Sequence, residues 1–199
     1  LPVITPASFP ECGKGGAAED AAGITCSFIK NVGETSMDGI EVEGIWMPTD
    51  ALTLRGSLGT LDGNYDSYDY NGADISGTAQ LLYAPELTWS VGAEHVSEIL
   101  GGELILTANY SFQDEVYTQT PWAIYDPATF PKITIDDWES LDVSATYLRD
   151  TANGTFKVIL YGTDVLEDGN RVQRRYTTGS FTWAEIAPRQ QFGITIGYE

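Results

Sequence analysis

Basic residues are scarce in this sequence. Ten Lys and Arg stand against 29 Asp and Glu, which leaves a net charge of −19. A nucleic-acid-binding role needs a basic footprint and is excluded on that balance. Long hydrophobic runs are missing as well: no stretch approaches 18 consecutive apolar residues, so no transmembrane helix is encoded. The opening Leu1-Pro2-Val3-Ile4-Thr5-Pro6 has neither the basic start nor the apolar core of a signal peptide. The expectation is that a signal has been removed or that the chain begins inside a larger protein. Histidine occurs once, at His95, far from Cys12 and Cys26, which argues against a zinc site. There is no Gly-x-Ser-x-Gly, no phosphate loop and no further histidine for a triad. No enzymatic chemistry and no cofactor are therefore assigned.

What is present is apolar and aromatic: 42% hydrophobic and 12% aromatic residues, too much for a disordered acidic tail. These residues are spread with a period of two. Leu87, Trp89, Val91 and Ala93 alternate with Thr88, Ser90, Gly92 and Glu94. Leu104, Leu106, Ala108, Tyr110 and Phe112 alternate with Ile105, Thr107, Asn109, Ser111 and Gln113. Such alternation marks strands with one apolar and one polar face. A turn at Gly101-Gly102 joins the two runs into a hairpin. Each run is about ten residues, the length a tilted strand needs to cross a bilayer, whereas soluble strands are mostly five or six.

The pattern recurs along the chain. Ile40, Val42 and Trp46 oppose Glu41 and Glu43; Leu52, Leu54 and Leu58 oppose Thr53, Arg55 and Ser57. Leu141, Val143, Ala145 and Tyr147 come next, then Phe156, Val158 and Leu160, and finally Phe192, Ile194, Ile196 and Tyr198. Seven strands result, with no helical periodicity. Short turns near 47–51, 98–103 and 149–155 alternate with long loops at 63–86, 114–139 and 164–190, and residues 1–35 read as a further loop ahead of strands over 36–199. Short turns on one side and long loops on the other are the habit of outer-membrane barrels. Trp46, Tyr147, Phe156 and Tyr198 gather toward the short turns, and Trp89, Tyr110 and Phe112 toward the long loops, as two interfacial girdles would. Single-chain bacterial barrels use even strand counts, and Pro2, Pro6 and Pro10 make an eighth strand at the start weak. Seven strands therefore point to one piece of a larger barrel.

The run Asn31-Val32-Gly33-Glu34-Thr35-Ser36-Met37-Asp38-Gly39-Ile40-Glu41-Val42-Glu43-Gly44, followed by Leu52-Thr53-Leu54-Arg55-Gly56-Ser57-Leu58-Gly59, resembles the late barrel of TonB-dependent outer-membrane receptors. So do Tyr83-Ala84-Pro85-Glu86-Leu87-Thr88-Trp89-Ser90, Tyr161-Gly162-Thr163-Asp164-Val165-Leu166-Glu167-Asp168 and the closing Pro188-Arg189-Gln190-Gln191-Phe192-Gly193-Ile194-Thr195-Ile196-Gly197-Tyr198-Glu199. The resemblance implies an all-β fold: a transmembrane antiparallel up-and-down β-barrel, this chain supplying the last seven strands of a 22-stranded barrel and so being incomplete by itself. It implies import of a scarce nutrient, an iron–siderophore, cobalamin or a saccharide. The implied partners are the remaining barrel and plug, the TonB energy-transducing complex, the substrate and the lipid bilayer of the bacterial outer membrane. The chain departs from the family in lacking the TonB box and the plug, and in stopping at Glu199 where a terminal aromatic is usual.

Individual residues carry further expectations. Glu41 and Glu43, roughly 6.6 Å apart by strand rise, have a glycosidase-like spacing, but acidic residues lining a watery lumen explain them better. Arg55 and Asn109 join them as lumen-lining positions. His95 is placed on the polar side or at a bulge. Cys12 and Cys26 read as a local disulfide in an oxidising compartment, with two free thiols as the alternative. Asp62, Asn64 and Asp66 imitate the first ligands of a calcium loop, yet Ser67 and Ala73 stand where Gly and Glu are required, so an EF-hand is rejected. Tyr65, Tyr68, Tyr70, Trp122, Tyr125 and Trp138, in the long loops, are candidates to stack on a ligand. Two other readings are open: a small self-contained outer-membrane barrel with a structural or adhesive role, and a soluble carbohydrate-binding β-sandwich.

Overall fold

The computed structural model describes residues 33–70, 72–118, 134–166, 171–177 and 182–199, with backbone only for Tyr70, Tyr176 and Thr177. The expected Cys12–Cys26 disulfide, Trp122 and Tyr125 lie outside the described residues. The described residues form twelve strands, β1 (Gly33–Thr49), β2 (Leu52–Tyr70), β3 (Ala73–Asp74), β4 (Leu87–Ile99), β5 (Gly102–Gln113), β6 (Val116–Tyr117), β7 (Thr134–Ile135), β8 (Trp138–Thr151), β9 (Gly154–Thr163), β10 (Val172–Thr177), β11 (Thr182–Ile186) and β12 (Gln191–Tyr198). Seven of them follow one another in an antiparallel sheet in the order β1-β2-β4-β5-β8-β9-β12, a meander to which β3 is added off the path as a short partner of β2. Among the described residues β1 pairs only with β2 and β12 only with β9, so the sheet is open and does not close into a barrel.

Register fixes two opposite faces, because side chains alternate along each strand and paired residues point the same way. One row runs Trp46, Leu54, Ala93, Ala108, Val143, Gly162, Phe192 across all seven strands. A neighbouring row on that face is Leu52, His95, Leu106, Ala145, Leu160, Ile194. The opposite face carries Glu43, Ser57, Ser90, Ser111 and Ser140 in one row and Arg55, Gly92, Asn109 and Asp142 in another. The apolar face is uncovered: Ile40 is 67% exposed, Trp46 66% and Phe192 69%.

Several expectations are corrected here. His95 stands in an apolar row between Leu52 and Leu106 and is exposed there, since unbroken alternation from Trp89 carries it to that face with no bulge. The β4–β5 turn is Leu100-Gly101, with φ of 52° and 74°. Two consecutive positive φ values match the twist of the flanking strands. Gly102 already belongs to β5, where an added Cβ would fall 2.4 Å from the carbonyl oxygen of Leu148. β1 starts at Gly33, inside the segment expected to be loop, and β2 runs on to Tyr70, inside the expected 63–86 loop. Both extensions are polar on both faces, so alternation gives no sign of them; the ladder from Gly33↔Tyr68 to Asp38↔Asp62 holds them. The other long loops contain short pairs as well, β6–β7 and β10–β11, and Trp138 opens β8 instead of ending a loop.

Candidate functional site

Antiparallel order places the three short turns at one end of the sheet and the three long connections at the other. Among the described residues the buried apolar side chains lie in the connections and not in the wall: Ile75, Ala79, Val116, Ile135 and Ala187 are all at most 8% exposed. A turn at 75–79, closed by Thr78 and Ala79 N–H donating to the Ile75 carbonyl at 2.9 Å, packs the first connection. It is tied to the second by a parallel bridge between Leu82 and Tyr117, with Tyr83 N–H donating to the Tyr117 carbonyl at 2.9 Å.

Beneath that junction lies a cleft of about 200 Å³ lined by Leu61, Gly63, Leu81, Glu86, Glu115 and Tyr117, among others. Gly63 is on the polar face by alternation, and an added Cβ there would meet Leu81 Cδ1 at 2.3 Å, so the first connection folds back over that face. Glu86, Asp114 and Glu115 make the lining acidic. It is suited to hydrogen-bond donors and cationic groups.

Of the expected ligand-stacking aromatics, Tyr65 and Tyr68 come together, with ring centroids 4.9 Å apart and planes at 32°. Residues three apart on a regular strand point to opposite faces. Here the register shift between Glu34 and Thr35, which leaves Asp66 as the extra residue of β2, puts both rings on one side. Ser36 Oγ donates to that extra Asp66 at 2.8 Å. Tyr70 pairs with Ala73 through its backbone. Trp138 belongs to a different cluster. It pairs with Gln113 on the polar face, and the Arg171 guanidinium lies 4.5 Å from its ring centre.

That second cluster was not legible in the sequence. Asp164, 7% exposed, is held at φ 53°, a conformation disfavoured for residues other than glycine. Its N–H donates to Asp142 Oδ1 at 2.7 Å, and its Oδ2 is 3.4 Å from Arg171 Nη2. Among the described residues neither Asp164 carboxylate oxygen accepts a hydrogen bond. Val165 N–H donates to the Leu141 carbonyl at 2.9 Å, and Gln190 Nε2 to the Val165 carbonyl at 2.8 Å.

The expected lining residues Glu41, Glu43, Arg55 and Asn109 share the polar face, one strand after another. Arg55 lies 3.8 Å from Glu94, and hydroxyl pairs Ser57–Ser90 at 2.7 Å and Thr107–Ser144 at 2.8 Å continue the face sideways. On the apolar face near the long connections, Trp89 stacks on Tyr110 at 5.2 Å and lies 5.9 Å from Phe112, and Tyr110 donates to Glu139. Asp62, Asn64 and Asp66 are strung along extended β2, and among the described residues no three His, Cys, Asp or Glu side chains converge as a metal site. Asp74 accepts N–H bonds from Ser76 at 3.0 Å and Tyr68 at 3.1 Å, and these bonds hold its carboxyl below the ordinary Asp value.

No protein-family model and no curated protein matches the sequence. Among solved structures, the fold is similar to that of the ferric yersiniabactin uptake receptor FyuA from Yersinia pestis, with a TM-score of 0.63 and 17% identity over 82% of this chain. The chain spans 23% of that receptor's length. The likeness concerns the fold: an antiparallel, helix-free sheet similar to part of an uptake receptor.

Proposed function

We propose that this chain forms part of the wall and outer loops of a TonB-dependent outer-membrane receptor that imports a scarce nutrient, such as an iron–siderophore, cobalamin or a saccharide. One observation carries the reading. A seven-strand meander has a continuous, uncovered apolar face, a continuous polar face, and all its long connections at one end. Six of those seven strands have ten or more residues, enough to cross a bilayer when tilted. The similarity to an uptake receptor supports the same reading.

In this reading the row from Trp46 to Phe192 meets lipid, and Glu41, Glu43, Arg55 and Asn109 line the lumen. Tyr65, Tyr68, Tyr70, Trp122, Tyr125 and Trp138 stand at the outer mouth, where aromatic faces can stack on a ligand. The partners are the remaining barrel and plug, and the TonB energy-transducing complex. The test is deletion of the gene followed by fractionation and uptake. The protein is expected in the outer-membrane fraction, and the deletion strain is expected to lose uptake of one class among radiolabelled iron chelates, cobalamin and oligosaccharides. Recovery of the protein in a detergent-free soluble fraction would instead favour the β-sandwich.

A further inference from the structure

We propose that Arg149 binds the headgroup phosphate of an anionic glycerophospholipid in the bilayer leaflet on the short-turn side. That binding rests on the proposed function, in which the apolar face meets lipid. Alternation along β8 puts Arg149 on that face with Leu141, Val143, Ala145 and Tyr147, and register sets it beside Phe156 and then Tyr198. Arg149 is exposed, and among the described residues no carboxylate pairs with it. Arg55, Arg171 and Arg174, by contrast, lie 3.8, 3.4 and 3.6 Å from Glu94, Asp164 and Glu185. The strand acids of this end are turned away. Glu98, Glu103 and Asp150 fall on the polar face by the same alternation, and Asp150 accepts the Thr155 hydroxyl at 2.7 Å. An unpaired cation on an apolar face, in a chain of net charge −19, calls for an anion from outside.

Depth singles out the phosphate layer. Along β8 the apolar face carries a charge at Glu139 and again at Arg149, ten positions on, with Leu141, Val143, Ala145 and Tyr147 between them. Ten residues of strand span about 33 Å. At the usual tilt of about 40° that is about 25 Å along the bilayer normal, the height of a barrel's apolar band. The two charges therefore stand at its two edges. Glu139 is answered within the chain, accepting the Tyr110 hydroxyl; Arg149 is not. Tyrosine hydroxyls mark the same level. Tyr147 Oη donates to the Leu100 carbonyl at 3.2 Å and Tyr198 Oη lies 3.2 Å from Thr151 Oγ1, so both rings have their polar ends at the turns, as interfacial tyrosines do. A guanidinium at this height keeps its head at the water boundary, and its planar fork fits two phosphate oxygens.

The test is lipid quenching on the protein as its gene encodes it, in phosphatidylcholine vesicles. A fluorophore on Val158→Cys reads the lipid beside Arg149, since Val158 pairs with Tyr147, two residues before Arg149 on the same face. Quenching by brominated phosphatidylglycerol is compared with quenching by the same mole fraction of brominated phosphatidylcholine. With Arg149 in place the ratio is expected to be about five-fold higher than in Arg149→Gln, the preference that one basic residue gives near anionic lipid. Arg149→Lys, which keeps the charge but loses the fork, should keep part of that gain. Raising salt to about 0.5 M should reduce it. Lys157→Gln, one position along β9 but on the polar face, should leave the ratio unchanged. An equal ratio in Arg149→Gln overturns the site, and so does an equal loss in Lys157→Gln, which would mean a general charge effect. Quenching by neither lipid overturns the site together with the proposed function; quenching by both in an unchanged ratio overturns the site alone.

Discussion

In the wall, large apolar side chains such as Ile40, Val42 and Trp46 are more than half exposed, while the buried ones, Ile75, Val116 and Ile135, sit in the long connections. A water-soluble domain reverses this, burying the apolar faces of its sheets and exposing its loops. The connections here pack like a small soluble layer, with a hydrogen-bonded turn, short strand pairs and a buried ion pair. The wall has the regularity of a core and none of its cover. An apolar face of that kind acquires its stability from what lies against it, which in the proposed reading is lipid.

The largest effect that would sharpen this contrast comes from charge placed on adjacent residues of β5. Ala108→Arg, on the apolar face, is expected to destabilise the protein in lipid vesicles by about 2–4 kcal/mol, the cost of arginine near a bilayer midplane. Asn109→Arg, one residue on and facing the other way, should cost about 0.5 kcal/mol or less, as surface changes do. Urea titration reads both, and equal costs would break the distinction between the faces. In the connections, Ile135→Ala removes a side chain that is 5% exposed and is expected to cost about 2 kcal/mol, the lower end for buried Ile. That loss should fall on exchange of β6 and β7 while the wall ladder keeps its protection. Tyr68→Ala, which removes the ring beside Tyr65, is expected to loosen the outer end of the β1–β2 hairpin by about 0.5–1.5 kcal/mol, seen as faster exchange at 64–68 and unchanged exchange at 40–46.

The smallest effect expected is one of pH. The Ser76 and Tyr68 N–H bonds stabilise the Asp74 carboxylate and lower its pKa in the folded protein. A lowered folded pKa contributes stability above the unfolded value, and that contribution is lost as pH falls through the folded value. The turn at 72–76 should therefore stay closed at neutral pH and loosen only below the ordinary Asp range. Asp74→Asn should remove that pH dependence from its amide shifts.

The same comparison explains how much was legible in the sequence. Wall strands announce themselves because one face must be apolar, so Leu104, Leu106 and Ala108 recur at every second position regardless of distant contacts. Each short turn falls where that period stops. The signal fades wherever neither face is apolar: from Asp62 to Tyr70 the strand continues on ladder hydrogen bonds and polar side-chain contacts such as Ser36 to Asp66, which leave no alternation to read. His95 breaks the chemical pattern without breaking the period, so its polarity points to one face and its position to the other. The Asp164–Arg171–Trp138 cluster has no local signature. It depends on the third connection folding back to the start of β8, a contact set by tertiary structure, and it left only unremarkable loop charges in the sequence.

In the proposed reading the wall's two faces meet different media, and single cysteines along β5 report on each face separately. With the assembled protein in lipid vesicles, cysteines at Leu104, Leu106, Ala108 and Tyr110 should resist a water-soluble maleimide. Once carrying a fluorophore, they should be quenched by brominated lipid. Cysteines at Ile105, Thr107, Asn109 and Ser111 should show the opposite behaviour. A two-residue period in both signals is the predicted result; equal labelling at both sets, with no quenching by lipid at either, would contradict it.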